Sequence, residues 1–155
     1  MSHLQRYERE WQPKCHMPTL SSIFPLLPAD TASRMDRNVR EIRGVINPIL
    51  PHLEFEVTPV LFIRLRDIVV ELMNDMIKEV QLGHLGPNDG RGSYYTTLKN
   101  VAMSASRCRN LAAEEFVGNE HAWSEELGVL DMVLGDYEMC FRKIASATPT
   151  RGGNI

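Results

Sequence analysis

Residues 58–83 read TPVLFIRLRDIVVELMNDMIKEVQLG, and their spacing decides the fold. Leu61, Leu65, Ile68, Leu72 and Met76 return every three or four positions. That period stacks side chains on one side of an α-helix, whereas a strand would alternate with period two. Val69, Met73 and Val80 flank the stripe; Arg64, Asp67, Glu71, Asn74, Asp75 and Lys78 fall opposite. Thr58-Pro59 is a start signal. A threonine oxygen can cap a free N–H, and proline at the first helical position lacks only an N–H that would have had no partner. Gly83 is the stop signal, because a left-handed C-terminal cap carries no penalty at glycine.

The same period extends in both directions. Toward the N-terminus, Met35, Val39, Ile42 and Ile46 form one stripe. A helix is expected from Asp30 or Thr31, either of which can cap it, until Pro48 and Pro51 end it. Toward the C-terminus, a helix over Ser93–Val117 would turn Leu98, Val101, Ala102, Ala105, Cys108, Leu111, Ala112 and Phe116 inward. These are mostly small side chains, which allow close helix approach. Gly118-Asn119 then separates a last helix, expected over Glu120–Ala147. There Trp123, Leu127, Leu130, Leu134, Tyr137, Phe141 and Ile144 alternate steps of four and three, the seam of a bundle.

Four amphipathic helices with short links predict an all-α four-helix bundle, mostly antiparallel. The bundle would occupy residues 30–147, after an arm at 1–29 and before a tail at 148–155. Within the arm, Leu4, Tyr7 and Trp11 allow a short helix, but Pro13, Pro18, Pro25 and Pro28 predict a partly extended chain from 13 to 29.

The stretch at 122–147 resembles a single tetratricopeptide unit at Leu127-Gly128, Gly135-Asp136-Tyr137, Cys140 and Ala147, with Trp123 one residue out of place. Moving back 34 residues, the length of one unit, puts Ser93-Tyr94 where Leu-Gly should recur, so no second unit follows. About three units are needed to bury their shared faces. The unbroken seven-residue spacing favours one long helix, and the family is not adopted.

Composition narrows the function. The chain has 155 residues, 43% apolar and 24% charged, with net charge −3. That size fits one domain with a full core. The mild acidity disfavours a protein that coats nucleic acid, which needs an excess of clustered Lys and Arg. Three cysteines without short spacing (Cys15, Cys108 and Cys140) do not make a disulfide framework. The start, MSHLQRYEREW, has no apolar core of a secretory signal, and no apolar run approaches a membrane span. An intracellular location, cytoplasmic or nuclear, is the expectation.

No catalytic, cofactor or metal site is read. The five histidines, His3, His16, His52, His84 and His121, are scattered, and no Glu precedes a His by three residues as a di-iron bundle requires. His121 and Glu125 make a surface pair at best. Cys108 and Cys140 fall on apolar faces, where a thiol acts as a small hydrophobe. The loop GHLGPNDGRG at 83–92 has four glycines but no P-loop spacing and no lysine, and it reads as a connector.

Two surfaces remain. Apolar residues beyond the main stripes suggest a protein-binding face: Val60, Phe62, Ile63, Val69, Val70 and Ile77 in the second helix, and Val129, Met132, Val133 and Met139 in the last. In the arm, Tyr7, Trp11, Ile23, Phe24, Leu26 and Leu27 must cover either their own bundle or a partner. The expected partner-binding residues are Tyr7, Trp11, Ile23, Phe24, Leu27, Val70, Ile77, Met132 and Met139, facing another protein or a second copy of the chain. The alternative is anion or nucleic-acid contact through Arg34, Arg37, Arg40 and Arg43. Residues 30–44 carry four positive and three negative charges, so a solvated face with internal ion pairs is the favoured reading. A pocket inside the bundle, near His52, His84 or Tyr95, is the third reading.

Overall fold

A computed structural model describes residues 20–87 and 92–147, with side chains throughout except at 21, 22, 92, 93 and 141–147. Tyr7 and Trp11, the rest of the arm before 20 and the tail at 148–155 lie outside the described residues. Four long helices form the bundle: α1 at Ala29–Ile46, α2 at Thr58–Gln81, α3 at Gly92–Leu111 and α4 at Glu120–Ala147. There is no strand among the described residues.

Local chemistry sets the helix ends, not always as expected. α1 starts one residue before Asp30, with Pro28 at the cap position and no side-chain cap. Asp30 instead lies in the first turn, where a carboxylate favours the positive end of the helix dipole. Thr58 is the first residue of α2 rather than its cap. Its Oγ1 accepts the Glu54 N–H at 2.9 Å, tying the preceding turn to the helix. Gly83 does cap α2, at φ 79. The His84 N–H donates to the Glu79 carbonyl at 2.9 Å and the Gly83 N–H to the Val80 carbonyl at 3.0 Å, the paired bonds of a Schellman motif.

α3 stops at Leu111, short of the expected Val117. The N–H groups of Ala112, Ala113 and Glu114 donate three residues back, to Arg109, Asn110 and Leu111, and tighten the chain out of the helix. Gly118, at φ 92, completes the reversal. Phe116 is thereby released to turn inward. The arm also departs from expectation: Leu20–Ile23 is a single helical turn, not extended chain.

Side-chain pairs between helices show the directions. Arg34 meets Asp75 and Asn38 meets Glu71, so α1 and α2 run antiparallel. Thr97 meets Cys140 and Arg107 meets Glu126, so α3 and α4 do too. Asp36 meets Tyr137 and Arg43 meets Asp131, which closes the ring between α1 and α4 in the same sense. The predicted four-helix antiparallel bundle is therefore present, and α4 passes through Gly135 as one helix.

The core follows the predicted stripes in α1, α3 and α4, with Met35, Val39, Ile42 and Ile46 buried against Leu98, Val101, Ala105, Leu127, Leu130 and Leu134. In α2 the buried stripe is rotated from the expected one. Phe62, Leu65, Val69, Leu72 and Met76 are buried, while Leu61 and Ile68 are half-buried. Phe62 stacks on Trp123 with ring centroids 4.6 Å apart, and Phe116 meets the same indole edge-on at 5.2 Å. These two contacts pull α2, α4 and the 112–119 turn onto one anchor, with offset-stacked and edge-to-face geometries that aromatic rings prefer.

Trp123→Ala is expected to destabilise the fold by about 3–5 kcal/mol, since it removes a wholly buried aromatic. Trp123→Phe should cost clearly less. The indole Nε1 is buried without a hydrogen-bond partner, so its loss leaves no other group unpaired. Urea unfolding followed by circular dichroism tests both, and equal losses would show that ring stacking is not the anchor.

Candidate partner-docking surface

The expected partner-binding residues divide into two groups. Ile23, Phe24 and Leu27 are at most 4% exposed, so the described part of the arm packs on its own bundle and these three are not offered to a partner. Phe62, Val69 and Val133 likewise belong to the core rather than to a widened outer face. The cause is a helix rotation that apolar spacing alone does not resolve: when two adjacent stripes are both oily, either can turn inward.

Val70, Ile77, Met132 and Met139 are exposed. They do not form one surface. α2 and α4 occupy opposite corners of the bundle, each packed beside α1 and α3. Val70 and Ile77 therefore look out from one side, Met132 and Met139 from the other.

On α2 the surface continues into a groove against α3. Met73, Met76, Ile77, Val80, Tyr95, Ala102 and Met103 line it, with Gln81 and Lys99, around a volume of about 480 Å³. Ile77, Val80 and Met103 are exposed along it, although each is apolar. Of the α3 side of this groove the sequence reading names only Tyr95 as a site residue, and for a pocket inside the bundle. Met103 and Tyr95 stand outside the small-residue stripe of α3, and nothing in that spacing sets them opposite Ile77.

Charge is arranged differently along α1. The Arg34 guanidinium donates to both Asp75 oxygens, each at 2.8 Å. This hydrogen-bonded pair raises the Arg34 pKa further, so its charge is permanent. Arg37 lies 3.8 Å from Glu71, and Arg40 donates to Asp36 at 2.5 Å. Arg43 bridges two carboxylates of α4, Asp131 at 2.7 Å and Glu138 at 3.0 Å. Partial burial works against its charge, but the bonds to Glu138 and Asp131 raise its pKa on balance. All four arginines of the anion-binding alternative thus face carboxylates of their own chain.

The remaining candidate chemistry is structural. The buried Glu79 carboxylate accepts from His84 Nδ1 at 2.7 Å, and Leu85 beside it is buried, which anchors the start of the glycine loop. Residues 88–91 of that loop lie outside the described residues. Cys108 is wholly buried; Cys140 is half-buried with its sulfur 4.0 Å from Thr97 Oγ1. Among the described residues no three His, Cys, Asp or Glu side chains converge as a metal site, and no helix is long and apolar enough to cross a membrane. No protein-family model, curated protein or solved structure matches the chain.

Burial pushes the Cys108 thiol from 9.0 up to about 12, helped by the field of Glu126. Burial, then the charge of Asp36, pushes Tyr137 well above 10.0. Both groups keep their protons in the fold and release them sooner when unfolded. Stability should therefore be full below pH 9 and fall as pH rises toward about 12, by up to ~1.4 kcal/mol per pH unit for each group. Urea midpoints between pH 8 and 11 measure this, and Cys108→Ala should flatten the first part of the decline. Thiol labelling below pH 9 should spare Cys108 until the protein unfolds.

Proposed function

We propose that this protein is a helical interaction module, an adaptor or small subunit, that binds a protein partner along the groove between α2 and α3. The observation that carries the reading is the exposed apolar lining of that groove at Ile77, Val80 and Met103. Exposed apolar side chains scattered singly need no explanation, but a contiguous set lining a concavity does. Methionines at Met73, Met76 and Met103 let the lining adapt to a partner's shape. An amphipathic helix is the natural occupant, because its own oily stripe can lie lengthwise between two parallel ridges. Sparse, unclustered cysteines fit a reducing compartment, cytoplasmic or nuclear.

The clefts beside α1 give less support to the nucleic-acid alternative. One is lined by Arg37, Arg40, Glu41, Arg64 and Asp67, and another by Arg34, Arg66, Asp67, Glu71 and Asp75, so both signs of charge meet in each. Phosphate would have to displace the carboxylates already paired with Arg34, Arg37 and Arg40.

Partner capture by photo-crosslinking from Tyr95 or Met103, read by mass spectrometry in native cell extract, tests the proposal. Ile77→Glu places a charge on the groove without touching the core, so it should cut capture at least tenfold while circular dichroism stays unchanged. An Arg37→Gln, Arg40→Gln double variant should leave capture intact. Loss of binding in that variant alone, with RNA as the captured species at low salt, would move the function to the alternative.

A further inference from the structure

We infer that the partner on α2 is a second copy of this chain, bound through an antiparallel pairing of α2 with itself. The inference rests on reading the α2/α3 face as a docking surface. α2 carries two seven-residue seams. The inner one, Phe62, Leu65, Val69, Leu72, Met76 and Glu79, is buried in the bundle. The outer one is displaced by a single residue, about 100° around the helix. It runs Ile63, Arg66, Val70, Met73, Ile77 and Val80, with unbroken steps of three and four. Four of its apolar members are left in water: Ile63 at 45%, Val70 at 41%, Ile77 at 53% and Val80 at 39% exposure. Such a seam is what one helix presents to another in a coiled coil.

The outer seam is complementary to its own reverse. Turned end for end about a two-fold axis between Glu71 and Leu72, Ile63 faces Val80 of the second copy and Val70 faces Met73 of the second copy. Arg66 then faces Ile77 of the second copy, and its guanidinium can reach water past that side chain. A two-fold contact needs this kind of self-complementarity, because one patch meets its own copy.

Charge selects the antiparallel direction. In a parallel pairing Arg66 would meet Arg66 of the second copy inside the seam. In the antiparallel one the two are about 16 Å apart along the axis, beyond the ~8 Å screening length of physiological salt. The same turn sets exposed Asp67 level with Met76 of the second copy, two residues or about 3 Å along the axis from its Lys78. Neither Asp67 nor Lys78 makes an ion pair among the described residues. By symmetry, each of these contacts forms twice. The pairing also lays Ile63 of the second copy over the groove end at Val80, next to α3.

Light scattering on the full chain should give twice the 17.6 kDa mass at about 100 μM, and Ile77→Glu should return the single mass. Direction is read from Ile63→Cys and Val80→Cys in a Cys15→Ser, Cys140→Ser background. Mixed together they should form a disulfide between copies. Each alone should form none, since like positions lie about 25 Å apart along the axis. A disulfide from Ile63→Cys alone would show a parallel pairing and overturn the proposal. So would a single mass at every concentration. If partner capture at Tyr95 or Met103 survives in such a monomer, the groove still binds protein, and the second copy alone is excluded as its occupant.

Discussion

The bundle depends on the burial of Trp123. Sequential helices can pack as neighbours through ordinary leucine and alanine contacts, but the diagonal of a four-helix bundle needs a side chain long enough to reach across. Trp123 supplies it from α4 and meets Phe62 of α2 face to face. Phe116 closes on the same ring from the turn before α4, and Phe55 stands 6.2 Å beyond Phe116. Four aromatic residues therefore run from the buried interior to the surface at one end of the bundle. The early stop of α3 makes sense in these terms. Had the helix continued to Val117, Phe116 would have been carried along its axis instead of folding back onto the indole.

Apolar packing has little sense of direction, so polar pairs between helices do the specifying. Arg34 with Asp75 and Asn38 with Glu71 set the slide of α1 along α2. Arg43 with Asp131 and Glu138, and Tyr137 with Asp36, hold α1 to α4. A bidentate Arg–carboxylate pair fixes orientation as well as distance. Arg34 and Arg43 thus act as register marks for the bundle, one toward α2 and the other toward α4, while Arg40 pairs within α1.

The two seams of α2 explain why a helix can be both core and interface. A substitution in one seam leaves the side chains of the other in place, because the two lie about a quarter of a turn apart. The inner seam ends in Glu79, whose carboxylate is satisfied by His84. Among the described residues nothing covers Ile63, Val70, Ile77 and Val80 of the outer seam. Oily groups in water favour association in proportion to the area removed, and the concavity beside Met103 gives that tendency a place and a direction.

Much of this was legible in the residues themselves. Steps of three and four dictated helices, Gly83 dictated where α2 turns, and the unbroken seam from Trp123 to Tyr137 dictated one long α4. These are local effects, set by backbone geometry within one or two turns. Which stripe of α2 turned inward was not legible, since Leu61 and Phe62 are equally oily and only the fit against Trp123 distinguishes them. The fate of Ile23, Phe24 and Leu27 was also undecided, because a short apolar arm is equally satisfied by its own bundle or another. The pairing of Arg43 with Glu138 joins residues far apart in the chain, which no local rule can foresee. Sequence determined the elements and their oily faces; the tertiary structure decided which faces were used up, because burial is a competition among surfaces that meet only once the helices have packed.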